Sequence, residues 1–180
     1  QQRSPAGFPV QEDAKQLGLE QGVFFLDDYT SMYNSNSELI AKEYNAFDVL
    51  LHPSQTEGFG LCIVEAQACG TPVIIQNIHS MPELIIEGKT GWAAKTAFER
   101  ITNDVAKVAV PDVNSIYEQM EKSFVAVKAN DSQIEKDCRQ NVLDNYDIHT
   151  LYQEKWKPYL EELQEELIPL QVRENHIISS

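Results

Sequence analysis

The chain is poor in positive charge. Its 180 residues carry 14 Lys and Arg against 28 Asp and Glu, a formal charge of −14. No cluster of basic residues offsets that field, so no nucleic-acid partner is expected. Cysteine is also scarce. Cys62, Cys69 and Cys138 form an odd, scattered set that defines no disulfide framework. On a helix, Cys62 and Cys69 would lie ~10 Å apart along the axis, beyond the ~7 Å that a disulfide spans. Buried free thiols in a reducing, cytoplasmic setting are the expectation. No Cys/His spacing points to a metal site. There is no signal peptide, and no apolar run approaches the ~18 residues of a membrane span. The chain opens on Gln1 rather than Met, which leads to the expectation of a piece of a longer protein.

Apolar residues make up 42%, enough for a packed core. The opening "QQRSPAGFPV" has little periodicity. Residues 9–17 predict a short helix stopped by Gly18. "VFFL" (23–26), "VLLHP" (49–53) and "VIIQ" (73–76) read as compact, wholly apolar strands, with a further short strand at 92–94. "ELIAKEYNAF" predicts a helix with Leu39, Ile40, Tyr44 and Phe47 on one face. Another runs from Gly60 to Cys69 with Gly70 as its stop, and "PELIIEG" forms a short third, with Pro82 in its first turn. Apolar strands alternating with helices predict a doubly wound α/β layout, a parallel sheet covered on both faces. Ligands of such sheets bind at the carboxyl ends of the strands, where the loops 27–37, 53–59 and 77–82 leave. The second half reads as helical: a stripe from Val113 to Val127 capped by Asp112, a second pattern at Ile134, Cys138 and Val142, and a third from Ile148 to Leu167 kinked at Pro158. The tail after residue 168 has no usable pattern.

The most informative stretch is "SQTEGFGLCIVEAQACGTPV", residues 54–73. A helix starting near Gly60 aims unpaired N–H groups and a partial positive charge at the space above "VLLHP". Gly58 and Gly60 lack a Cβ, so a ligand can approach the backbone. That combination suits a phosphate, even on an acidic protein. Glu57 sits at the mouth of this turn and Glu65 in the second turn of the helix. Carboxylates beside a phosphate need other partners, and sugar hydroxyls are good ones. A nucleotide-diphosphate sugar offers both, with Glu65 on the ribose and Glu57 on the transferred sugar. The same residues also fit a plainer account, in which Glu57 favours the helix N-terminus and Glu65 faces solvent.

"PSQTEGFGLCIVEAQACGTPVI" followed by "PELIIEGKTGW" resembles the carboxy-terminal, donor-binding domain of retaining glycosyltransferases of the GT-B fold, the family-four group. The matching elements are the Glu57/Glu65 pair with Gly-Phe-Gly after the first, the Gly-x-Pro-Val after the helix, and Pro82, Glu83, Gly88 and Gly91. They span roughly residues 23–95. The resemblance implies metal-independent transfer of a sugar from a nucleotide-diphosphate donor with retained configuration, without a further cofactor. By position, Glu57 is the catalytic-site residue that contacts the donor sugar. Gly58, Phe59, Gly60 and Leu61 form the sugar-phosphate turn, Glu65 binds ribose, and the loop Asp27–Ser31 lies near the base. His79 and Ser80 stand where the family often has two glycines. His52 and Trp92 read as packed residues, and Glu83 as support for its helix start.

The resemblance also implies absences. The basic side chains that neutralise the diphosphate come from a first strand–helix unit that nothing before "VFFL" supplies. The acceptor-binding amino-terminal domain is missing too. Residues 1–168 are thus expected to be an incomplete, Rossmann-like nucleotide-sugar-binding domain, and 169–180 a tail. The isolated chain is expected to be inactive. Leu151, Tyr159 and Leu163 on the kinked last helix invite self-association. A non-catalytic nucleotide-sugar-binding or assembly module is the alternative.

Overall fold

The computed structural model of the protein describes residues 10–25, 36–102, 107–165 and 167. The chain divides into two compact units, Gln1–Lys42 and Glu43–Ser180.

In the first unit, α1 (Val10–Gln16) ends where expected, with Gly18 at φ +70°. Helix α2 (Ser37–Asn45), which runs across the unit boundary, starts under Asn36, whose Oδ1 accepts the Leu39 N–H at 2.8 Å. The expected strand at 23–26 does not form over its described residues: Val23–Phe25 are irregular and Phe24 is 93% exposed. A strand exists only by pairing, and among the described residues of this unit there is no other strand. Leu26 and the loop Asp27–Ser31 lie outside the described residues, as does the tail 169–180.

The second unit holds a parallel three-stranded sheet, β1 (Leu50–His52), β2 (Val73–Gln76) and β3 (Gly91–Ala94), in that spatial order. Leu50 pairs with Val73, and Val73 with Gly91. Strand β2 is buried at all four positions, as a central strand with both faces covered must be. Helix α3 (Leu61–Ala68) covers one face, where Ile63 and Ala66 meet Val73 and Ile75. Helix α4 (Val113–Asn145) covers the other, where Ile134 and Cys138 meet Ile74 and Trp92. Each fully buried aliphatic side chain contributes about 1.5–3 kcal/mol. Gly91 is required here, since a Cβ would lie 2.7 Å from the Val73 carbonyl oxygen. Among the described residues no strand pairs with the outer edge of β1. This is the partial doubly wound α/β sheet expected from the sequence.

Two features differ from the sequence expectation. First, β4 (Thr96–Ile101) and β5 (Lys107–Pro111) form an antiparallel pair where no strand was expected. The "PELIIEG" helix is only a 3-10 turn, Met81–Leu84. Second, α4 begins under Asp112 as expected, its carboxylate accepting the Asn114 and Ser115 N–H groups. However, its buried positions there are Ser115, Gln119 and Ser123, while Val113, Tyr117, Met120 and Phe124 are exposed. The small polar face lets the helix approach the backbone closely enough for Ser115 Oγ to accept the Lys95 N–H at 2.9 Å. Asn130, at φ −157° and ψ 45°, breaks α4 between its two expected stripes. The last helical pattern, expected to kink at Pro158, is irregular just before that residue. After α5 (Ile148–Leu151), a π-helical turn, Tyr152–Trp156, absorbs the missing N–H and the ring, and the helix resumes.

Candidate functional site

Parallel pairing brings the carboxyl ends of β1 and β2 to one edge of the sheet, so the loop 53–60 and the turn 77–80 leave side by side. The loop is pinned at both ends. The Gln55 carbonyl accepts the Ala109 N–H at 3.0 Å, and Ser80 Oγ lies 3.0 Å and 3.1 Å from the Gly58 and Phe59 carbonyls, to which it donates. Gly60 adopts φ +97°, and a Cβ there would meet Ile63 Cδ1 and Leu84 Cδ1, each at 2.9 Å. The expectation that a ligand approaches Gly60 through its missing Cβ is therefore corrected: core side chains fill that space. A Cβ on Gly58 would meet nothing within 4 Å, so the open approach is there. The half-exposed Phe59 ring stands edge-on to Tyr146, centroids 6.0 Å apart.

Helix α3 starts at Leu61 with no side-chain cap from Gly60. The positive helix end faces the loop mouth, and of its first N–H groups that of Ile63 donates to the Gly60 carbonyl at 3.0 Å. Buried polar bonds fix the helix. Gln67 Nε2 donates to the Leu84 carbonyl at 2.9 Å, and Asn141 Nδ2 donates to Gln67 Oε1 at 2.8 Å, tying α3 to α4. At the other end Arg139 donates to the Cys69 carbonyl at 3.1 Å.

The two glutamates hold distinct partners. Glu57, partly buried, places Oε2 3.3 Å from His52 Nε2. Glu65, exposed, accepts through Oε2 from the Tyr44 hydroxyl at 3.2 Å. Tyr44 is itself anchored, its carbonyl accepting from Thr71 Oγ1 at 2.6 Å. Burial, and next the Glu65 charge, push the Tyr44 phenol far above its ordinary value, so it stays a donor. Cys62 lies between the two acids. Burial pushes its thiol up, Glu57 adds to this and Glu65 adds less, while the N–H groups of Cys62 and Ile63 pull the other way. His52 and Cys62 thus hold one acid, Glu57, and Tyr44 holds the other, Glu65, near the start of α3. The sequence reading missed His52 and Tyr44 as partners. His52 carried a usable signal, a strand-end histidine five residues before an acid; Tyr44, 21 positions from Glu65, carried none.

His79 is exposed and has φ +48°, a positive value on a non-glycine residue, at a position where the resemblance leads one to expect glycine. Trp92 is core, as expected, at 4% exposure. Glu83 is exposed, and its carbonyl accepts from Tyr146 Oη at 3.2 Å. The three cysteines are free. Among the described residues no helix is long and apolar enough to cross a membrane, and no group of His, Cys, Asp or Glu is placed to hold a metal ion.

A cavity of about 570 Å³ lies elsewhere, lined by Leu51, Ile74, Met120, Phe124 and Val127 with Asp48 and Lys128. It contains none of the candidate residues. Its walls are the open edge of β1 and the bare face of α4, so its volume reflects uncovered apolar surface. The convergence of N–H groups and acids at the 53–61 turn is the better guide to chemistry.

Comparison with known proteins bears on the family and the fold. The sequence pattern of the family described as glycosyl transferases group 1 matches residues 6–110. A D-inositol 3-phosphate glycosyltransferase of Corynebacterium glutamicum is 44% identical over 78 residues, 43% of this chain and 17% of that protein. Its counterpart in Mycobacteroides abscessus is 37% identical over 87 residues, 48% of this chain and 18% of that protein. The chain thus spans under a fifth of the length of these relatives. Among solved structures, Anabaena Alr3699/HepE in complex with UDP aligns with TM-score 0.61 and 21% identity over 84% of this chain and 36% of that one. Sucrose-phosphate synthase from Thermosynechococcus elongatus aligns with TM-score 0.65 and 20% identity over 91% and 37%. The C-terminal domain of a Francisella tularensis glycosyl transferase group 1 family protein aligns with TM-score 0.53 and 21% identity over 81% and 66%.

Proposed function

The chain belongs to the glycosyl transferases group 1 family, and from that premise we propose that it is the donor-binding part of a retaining, metal-independent sugar transferase. The donor is a nucleotide-diphosphate sugar. The observation that carries this proposal is the uncapped start of α3 between Glu57 and Glu65 at the carboxyl end of β1. Main-chain N–H groups around Phe59, Gly60 and Leu61 take the diphosphate, which an acidic surface cannot hold through its side chains. Gly58 gives the ligand its open approach. Glu57 takes hydroxyls of the transferred sugar and Glu65 those of the ribose, each through the oxygen its protein partner leaves free. The UDP named in the Anabaena complex is a ligand of this chemical class.

Catalysis of this type stabilises charge that develops on the departing diphosphate. The amides at the start of α3 supply part of that stabilisation, and basic groups and an acceptor site outside residues 1–180 supply the rest. The chain alone therefore binds donors weakly and transfers little. The missing acceptor domain of the same protein is its partner. Calorimetry of the 180-residue chain with UDP-, GDP- and ADP-sugars tests the proposal. Binding that weakens in both Glu57→Gln and Glu65→Gln supports it, and binding indifferent to both overturns it. A module that keeps the donor site without transferring sugar is the second account. It is separated from the first by assaying transfer in the longer protein.

A further inference from the structure

Resting on Glu57 as the residue that meets the donor sugar, we propose that His52 is its positioning residue, donating from Nε2 to Oε2 so that Oε1 alone is turned toward substrate. Three observations converge. The carboxylate contacts only one ring nitrogen: Glu57 Oε2 lies 3.3 Å from Nε2. A carboxylate can only accept, so this contact requires the proton on Nε2. The ring is also held from a second side. Cys62 Sγ lies 3.5 Å from Nδ1 and 3.6 Å from Nε2, nearly equidistant, so it fixes the ring plane without selecting a nitrogen. Finally, both side chains are partly withdrawn from water, with 23% and 27% exposure, so solvent competes weakly for the bond.

The geometry follows from the chain. His52 is the last residue of β1 and faces the same side as Leu50, which packs beside α3. Pro53 ends the strand, and the pinned loop returns Glu57 over the ring. Cys62, in the first turn of α3, closes the group from the helix side. The thiol does not act as a nucleophile here, because burial and Glu57 both keep it protonated. The cluster instead uses an ordinary strand-end histidine to hold one acid in one rotamer at the mouth of the donor site.

The test is NMR on the 180-residue chain, which needs no activity. Long-range nitrogen-15 spectra at about pH 8.5, where an ordinary imidazole is neutral, report the His52 tautomer, and three-bond couplings report the Glu57 rotamer. The expected result is an Nε2–H ring and a single Glu57 rotamer, both lost in their turn: Glu57→Ala gives a mixed tautomer, and His52→Leu gives an averaged rotamer. His52→Gln, which keeps a donor at the Nε2 position, restores the single rotamer. An Nδ1–H ring, or a Glu57 rotamer unchanged in His52→Leu, overturns the proposal. Titration with UDP-glucose and GDP-mannose on the same samples separates the two levels. A locked Glu57 with no sugar-nucleotide binding leaves the His52–Glu57 lock standing and removes the functional reading on which its orientation toward substrate rests.

Discussion

The Tyr44 hydroxyl donates to Oε2 of Glu65 at 3.2 Å, joining residues 21 positions apart across the side of α3. The bond leaves Oε1 of Glu65 for a ligand and holds the carboxylate in one place. Tyr44→Phe should cost about 0.5–1.5 kcal/mol of stability. It should weaken UDP binding about three- to tenfold, because Glu65 loses its orientation. Binding of 2′,3′-dideoxy-UDP, which has no ribose hydroxyls for Glu65, should be unaffected. Equal losses for both nucleotides in calorimetry would place Glu65 away from the ribose.

Gly58 and Gly60 should respond oppositely to alanine. At Gly60 a Cβ meets Ile63 and Leu84 at 2.9 Å with φ at +97°. Gly60→Ala should therefore destabilise the domain by about 2–4 kcal/mol, read by urea unfolding. Gly58 has open space, so Gly58→Ala should change stability by less than about 0.5 kcal/mol. Its effect should fall on donor affinity. A stable Gly60→Ala, or a Gly58→Ala with full affinity, contradicts the assignment of one glycine to the fold and the other to the ligand.

That division was half legible. The glycine turn, the helix after it and the strands at 50–52 and 73–76 follow from local pattern, because the strands are mostly apolar, Pro53 ends the first of them and Gly70 stops the helix. Which glycine faces core and which faces solvent depends on Leu84, far along the chain. The same limit explains the misses. Val23–Phe25 are as apolar as β2 yet remain irregular, since strand formation depends on a neighbour that local sequence does not specify. The Val113–Phe124 stripe has helical period, but Ser115, Gln119 and Ser123 are the residues buried, and of these Ser115 accepts the Lys95 N–H. The placement of Glu57 in the loop and Glu65 in the second turn of α3 followed from the sequence. Their partners His52 and Tyr44 come from β1 and α2, and tertiary structure alone brings them in.

Cys138 should make stability pH-dependent on the alkaline side. It is fully buried against Ile74 and Trp92, and burial, aided by Asp137, pushes its thiol from about 9 up to about 12. The folded chain therefore keeps a proton that the unfolded chain releases. This contribution is complete below about pH 9 and is lost as pH rises toward 12, on the order of a few kcal/mol. Urea unfolding at pH 8 and pH 10.5 should show a decline, which Cys138→Ala reduces. An identical decline in wild type and variant would assign the effect to other groups.

The last helical segment should drive self-association. Tyr159 is 56% exposed and Leu163 36%, with Leu151 partly buried one side of the π-turn. Sedimentation at high concentration should show dimers or larger species, which Tyr159→Ser combined with Leu163→Ser should reduce. A monomer at all concentrations contradicts this, as does association unchanged by those substitutions. The latter would point instead to the bare face at Met120 and Phe124.

The central claim is that the backbone at the start of α3 holds a diphosphate between two acids that hold sugar hydroxyls. Amide-resolved NMR of the labelled chain titrated with UDP-glucose and GDP-mannose tests it most directly. The predicted result is that the amide signals of Gly58, Phe59, Gly60, Leu61 and Cys62 move together with at least one of these nucleotide sugars, and that Glu57→Gln and Glu65→Gln each weaken the response. Signals that stay fixed there, or that move instead around Met120 and Phe124, would contradict it.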